Sequence, residues 1–207
     1  MFYSSTAFYA IVIFVFIYSI ILHEISHGFA AYFLGDITAS RAGRLSLNPL
    51  RHIDPLGSVI LPVVLFFTHS PVLFGWALPV PVNPSMFTRI KNKRVAMALC
   101  AAAGPLANIT LAFMLCFLVK HTQNPLIYSV GLYGLKINVL LAAFNLLPIP
   151  PLDGASIFSL ILPDWLYFRY NQFSRFGMLI LLIVLFSGLL QYILYPMVEL
   201  LARFICQ

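Results

Sequence analysis

The stretch ILHEISHGFA, residues 21–30, carries His23, Glu24 and His27 inside an otherwise hydrocarbon run. On a helix, four residues turn about 400°, so His23 and His27 stack on one face. Two imidazoles at that spacing can hold one metal ion. Glu24, about 100° further round, is close enough to reach a water on that ion. His-Glu-x-x-His is the pattern of two zinc ligands and a general base. Zinc lowers the pKa of its water to about 7, and the glutamate takes the proton during attack. The location is costly, because one ionisable group at the centre of a bilayer costs about 2.5–3.5 kcal/mol on insertion scales. Two neutral histidines hydrogen-bonded inside a helix bundle are the alternative reading. The triplet, with its carboxylate, favours the metal.

A catalytic zinc usually takes three protein ligands. The chain has six acidic residues: Glu24, Asp36, Asp54, Asp153, Asp164 and Glu199. Asp153 stands in FNLLPIPPLDGASIF, where Pro148, Pro150 and Pro151 must break a helix and Gly154 allows an unusual turn. A broken helix frees backbone carbonyls, which membrane proteins tolerate where a cavity or ligand uses them. Glu199 is the rival third ligand. Asp36 and Asp54 read as solvated or loop-capping residues, and Asp164, after Pro163, as a turn residue. His52, in LRHIDP, reads as a maker of loop hydrogen bonds beside Asp54; a further ligand or a proton shuttle is its other reading. His69 and His121 receive no role.

The elements that must position these groups are membrane helices. Of 207 residues, 61% are hydrophobic and only 9% charged, with a mean hydropathy of +0.96, whereas a soluble domain has about a quarter charged. Four apolar runs reach the roughly 20 residues a span needs: about 8–34, 95–119, 127–147 and 176–195. The segment 56–80 is uncharged but interrupted by Pro62, Pro71, Gly75 and Pro79, and reads as short or re-entrant. With that segment re-entrant, the basic stretches 36–55, 81–94 and 149–175 all face the cytoplasm. Nine of the twelve basic residues are then inside and the N-terminus is outside. Lys136 lies within the third long run and either snorkels outward or lines a polar cavity.

The expected architecture is an all-α polytopic membrane protein with four to six membrane helices, counting the segment at 56–80. The stretches DITASRAGRLSLNPL and LPVPVNPSMF look extended, so a small β-hairpin-like element is expected near the cytoplasmic face. The chain reads as a single domain, 1–207, with its core over 8–160 and a C-terminal membrane helix at about 176–195. The tail, Tyr195–Gln207, is expected to break from that helix at Pro196 and lie along the interface. The first run lacks the marks of a cleaved signal peptide. Cys100, Cys116 and Cys206 fit no zinc pattern and read as small buried hydrophobes.

These residues together resemble the site-2 proteases, intramembrane zinc metalloproteases. The resemblance rests on HEISH (23–27), AGPLAN (103–108) and NLLPIPPLDG (145–154). GRLSLNPLRHIDPLG (43–57) and GWALPVPVN (75–83) look like the compact bacterial branch without PDZ or CBS domains. The resemblance covers residues from about 8 to 160 and implies that His23, His27 and Asp153 bind one Zn2+, with Glu24 as base. It also implies that Gly104 and Asn108, one turn apart, bring a second helix close to the site. Asn145 and Asn83 become polar groups near the substrate backbone.

The family cuts transmembrane segments of other membrane proteins, often to release a regulator. The expected partners are therefore a substrate's transmembrane segment and the lipid bilayer. No nucleic acid is expected, because the net charge of +6 lies between apolar runs, where it sets orientation. The expected location is the inner cell membrane, with the active site towards the cytoplasmic half. A helical peptide bond is shielded, so the substrate must unwind; an extended edge at 37–47 or 78–83 could receive it by strand addition. The competing readings are a transporter or metal channel using the His/Asp cluster as an ion site, a non-catalytic relative, and a membrane zincin that uses Glu199.

Overall fold

The structure, a computed structural model, describes residues 6–70 and 74–206, apart from the side chain of Gln191. Pro71 and the first five residues, on which part of the sequence reading rests, lie outside them. Three helices are long and apolar enough to cross a membrane: α1 (Thr6–Phe33), α4 (Lys93–His121) and α5 (Pro125–Asn145). Each begins or ends where local chemistry requires. Gly35, at φ 105°, takes the left-handed turn after α1, and the Asp36 N–H returns to the Ala31 carbonyl at 2.9 Å. Asn92 caps α4 by accepting from Arg94 and Val95 N–H, and Asn124 caps α5 in the same way with Pro125 in the first turn.

The three spans pack closely because small residues line their seams. A Cβ added at Gly134 of α5 would stand 3.1 Å from both Leu115 of α4 and Val15 of α1. All three helices meet at that point.

Between α1 and α4 the chain makes the short α2 (Thr38–Arg41), then a π-helical turn (Pro55–Ile60) that runs into α3 (Leu61–Phe67). The chain comes back alongside itself: Trp76 N–H donates to Gly57 O at 3.2 Å and Leu78 N–H to His52 O at 2.8 Å. The expected β-hairpin does not form, since no strand is assigned among the described residues. The reason lies in where the backbone groups of 76–83 go. Pro79 and Pro81 have no N–H to give. Val80 N–H goes to the Glu24 carboxylate at 3.0 Å and Asn83 N–H to Asp36 Oδ2 at 2.6 Å. Arg44 takes the Leu78 and Pro79 carbonyls at 2.7 and 3.2 Å. Side chains occupy the ladder positions.

The last third departs from expectation in two ways. The predicted helix at 176–195 is cut at Gly188, φ 76°, into α8 (Gly177–Phe186) and α9 (Leu189–Cys206). This leaves three candidate spans among the described residues rather than four to six. Helix α9 then runs through Pro196 instead of ending there. It packs by Leu190 and Leu194 on Leu181, Ala143, Leu147 and Leu152. An apolar helix supported by neighbours absorbs the hydrogen bond a proline removes. Of the cysteines, Cys100 alone is a free buried thiol. Cys116 of α4 and Cys206 of α9 form a disulfide, Cα atoms 5.9 Å apart, across 90 residues that gave no spacing signal. Lys136 is exposed on the outside of the bundle.

Candidate metal centre

His23 and His27 point from α1 towards α4. Their Nε2 atoms lie 3.0 Å apart, and Asp153 Oδ2 lies 3.2 Å from the first and 3.3 Å from the second. Asp153 is brought there by the break at Pro148–Pro151: α5 ends at Asn145, and α6 (Asp153–Phe158) starts with Asp153 as its first residue. Gly154 makes the turn back possible, for a Cβ there would run into the Leu146 and Leu147 carbonyls.

The hydrogen bonds behind the imidazoles fix their tautomers. His27 Nδ1 lies 2.9 Å from the Cys100 carbonyl, which can only accept, so Nδ1 carries the proton. His23 Nδ1 lies 2.7 Å from Asn108 Oδ1. The Asn108 amide nitrogen is itself spent as a donor, to Asn138 Oδ1 at 2.9 Å and Ser19 O at 3.3 Å. Both Nε2 atoms therefore present lone pairs to the Asp153 oxygen, which is buried and has no hydrogen-bond donor. Three acceptors converging at 3.0–3.3 Å repel one another unless a cation stands among them. Donors held tetrahedrally about 2.0–2.1 Å from one zinc ion stand about 3.3 Å apart. Among the described residues this is a group able to hold a metal, and its donor set of two imidazoles and one carboxylate fits zinc.

Glu24 lines the same cavity, of about 340 Å³, as His23, His27 and Asp153. Its Oε2 accepts from Val80 N–H, which ties the carboxylate to the extended segment bordering the cavity. Gly104 faces the imidazoles directly: a Cβ there would press on His27 Nε2 and lie 2.6 Å from His23 Cε1. Asn108, one turn on, orients His23, and Asn145 lines the cavity while donating to Leu141 O at 2.9 Å. Asn83 stands apart. It is exposed, and its Oδ1 accepts from Ser85 N–H to cap a 3-10 turn at Pro84–Met86. Glu199 is exposed and pairs with Arg203 at 3.2 Å. His52 is buried and hydrogen-bonded to the Ser46 carbonyl at 2.8 Å, away from the metal cluster.

Sequence reasoning missed Ser19 and Asn138. Asn138 donates to Ser19 Oγ at 2.9 Å and completes a chain from His23 through Asn108. The signal was present: an asparagine in an apolar run implies a buried partner. It also missed the Cys100 backbone carbonyl, which no side-chain pattern reveals.

Residues 120–187 match the family described as Peptidase family M50. YwhC of Bacillus subtilis (strain 168), provisionally named a zinc metalloprotease, is 36% identical over 193 residues, 88% of this chain and 83% of its own length. Rip2 of Mycolicibacterium smegmatis, named in the same way, is 34% identical over 139 residues, 66% of this chain and 51% of its own length. MJ0611 of Methanocaldococcus jannaschii, again so named, is 47% identical over 58 residues, 28% of this chain and 30% of its own. The chain thus matches about half the length of Rip2. No solved structure matches.

Proposed function

The chain belongs to peptidase family M50, the site-2 proteases, and is a zinc metalloprotease, a hydrolase acting on peptide bonds; from that premise we propose that it cuts transmembrane segments of other membrane proteins. In this reading His23, His27 and Asp153 hold the zinc and Glu24 is the general base. The observation that carries it is the convergence of three buried acceptors beside a carboxylate in one cavity. Bound zinc supplies Lewis acidity, which polarises a carbonyl and makes water a nucleophile near neutral pH. Glu24 takes the proton from the attacking water and gives it to the leaving amine. Asn108 and the Cys100 carbonyl keep both imidazoles in the ligating tautomer.

An apolar cavity of about 510 Å³ supports the substrate class. It lies between Ile17, Ile20 and Ile21 of α1 and the returning segment at Phe74–Ala77. Residues 17, 20, 21 and 24 share one helix face, so the cavity leads along α1 towards Glu24. Water for the reaction must come from the polar side, where loops meet the cytoplasm. The single domain reads as a multi-pass protein of the inner membrane, its N-terminus outside. Two features support that orientation. Basic residues cluster at Arg89, Lys91, Lys93 and Arg94. Cys116 stands 22 residues beyond Arg94, about 33 Å along a helix, which is across a hydrocarbon core of about 30 Å, and disulfides persist in the oxidising space outside.

The test is co-expression with a panel of single-span membrane proteins, comparing wild type with Glu24→Gln. A fragment produced by wild type and absent with Glu24→Gln, whose zinc content stays at one ion per chain, is the expected result. Equal cleavage by the two proteins overturns the assignment of Glu24, and no cleavage of any membrane-spanning substrate overturns the substrate class.

A further inference from the structure

A third cavity, of about 330 Å³, opens between the first turn of α4, the proline turn before α6, and α7 (Asp164–Phe173). An apolar floor of Met97, Pro150, Pro151 and Leu152 carries a rim of Lys93, Arg94, Tyr167, Tyr170 and Asn171, and among the described residues no carboxylate lines it. Arg94 is fixed. It stacks on Tyr167 at 4.2 Å, donates to the Ser159 and Leu162 carbonyls, and pairs at 3.1 Å with Asp164, whose side chain is otherwise turned to solvent. Lys93 is exposed and uses one of its three donors on the Phe87 carbonyl. Tyr170 donates to Pro148 O at 3.0 Å.

Helix α7 has two faces. Tyr167, Tyr170 and Asn171, with Ser174 just beyond, turn to the cavity. Trp165, Phe168 and Arg169 lie on the opposite side by helical spacing, and the two aromatic side chains are 64% exposed. An aromatic helix packed beside the basic first turn of α4 matches the headgroup level of a bilayer, where tryptophan and tyrosine concentrate. Basic pockets between helices at that level suit phosphate headgroups.

We propose that this cavity binds the headgroup phosphate of an anionic phospholipid, with Lys93 and Asn171 as the donors free to reach it and Arg94 as fixed positive charge. Met97, Pro151, Leu152 and Ser156 line both this cavity and the metal cavity, so the headgroup rests against the turn that presents Asp153. The assignment of leaflet rests on the orientation argued above; the binding itself does not depend on the protein being a protease.

The test is native mass spectrometry of the purified full chain, titrated with phosphatidylglycerol, phosphatidylcholine or glycerol phosphate. Phosphatidylglycerol should bind at least about fivefold tighter than phosphatidylcholine, as one basic contact supplies. The double variant Lys93→Glu, Asn171→Asp should lose that preference while keeping its metal content, which reports an intact fold. Equal affinity for the two lipids, or an undiminished preference in a folded double variant, overturns the proposal. Saturation by glycerol phosphate at the same concentration also overturns it, by making a soluble phosphate the ligand. An acidic peptide that displaces phosphatidylglycerol more strongly than glycerol phosphate does would replace the lipid with a polypeptide. Absence of any cleavage by the wild-type chain, with its lipid preference intact, would count against the protease reading alone.

Discussion

Each imidazole of the centre is held through its Nδ1, and that dictates what its neighbours can tolerate. Replacing Asn108 by leucine leaves His23 Nδ1 and Asn138 Oδ1 without their bonds of 2.7 and 2.9 Å. An unpaired buried polar group costs about 1–3 kcal/mol, and partners of metal-bound histidines matter by about 10–100-fold in affinity or activity. Asn108→Leu should therefore weaken zinc binding by about that factor, as read by competition with a chelator, while Asp153→Ala should remove stoichiometric zinc altogether. Zinc retained at wild-type affinity in Asp153→Ala would instead require another third ligand. Much of this scale was legible in the sequence. Two histidines four apart on a helix can face only one way, and the three prolines before Asp153 force a break between α5 and α6. Asn108 was singled out for bringing a helix close, and its hydrogen bond to His23 adds a role that spacing alone could not show. Ser19 and Asn138 were not legible as partners, because their link runs between helices far apart in the chain.

At the scale of elements, Gly104 sets how near α4 comes to α1. An alanine in mid-helix is worth about 1 kcal/mol over glycine in propensity alone. Here the added methyl meets both imidazoles, and overpacking a filled site costs about 1–3 kcal/mol. Gly104→Ala should lower zinc content and activity in parallel; a variant with full zinc occupancy and a raised Tm would show that the helices can part freely.

The loop after α1 offers a pH dependence. Burial pushes the Asp36 carboxyl up, yet hydrogen bonds from the Thr38 hydroxyl and from the Asn83 and Thr38 N–H groups outweigh it and hold the group below the usual carboxylate range. A depressed folded pKa contributes stability that is complete above the unfolded value of about 3.9 and is lost as pH falls through the folded value. Asp36→Asn should destabilise by about 1.5–3 kcal/mol, the range for hydrogen bonds to charged groups. The deficit should be constant above about pH 5 and shrink in stronger acid, as thermal melts across pH would show. The same anchor explains why the expected hairpin does not form: the composition of 78–83 disfavours helix, but Pro79 and Pro81 bring no N–H, and the carboxylates of Glu24 and Asp36 take the Val80 and Asn83 donors.

For the whole molecule, the Cys116–Cys206 disulfide joins the end of α4 to the end of α9. Closing a loop of 90 residues restricts the unfolded chain, an effect of about 2–4 kcal/mol for typical bridges. Intact cells treated with a membrane-impermeant thiol reagent should show labelling at Cys206 only after reduction, and Cys206→Ser should lower Tm measurably in detergent. Labelling that requires permeabilised cells would invert the orientation. The three long spans were legible from hydropathy, since a span announces itself by length. The split at Gly188 and the cysteine pair were not, because a glycine's handedness and a contact across 90 positions leave no mark on a local window.

The string of side chains from Ser19 through Asn138 and Asn108 to His23 crosses three helices in turn. Sliding any one of them by a single residue, about 1.5 Å, would snap it. The aim of one ring thus reports on the docking of three separate pieces, and a chain caught half-inserted is a chain with its cutter unassembled. Under the proposed function, a bundle not fully docked therefore lacks the aimed ring that cleavage requires.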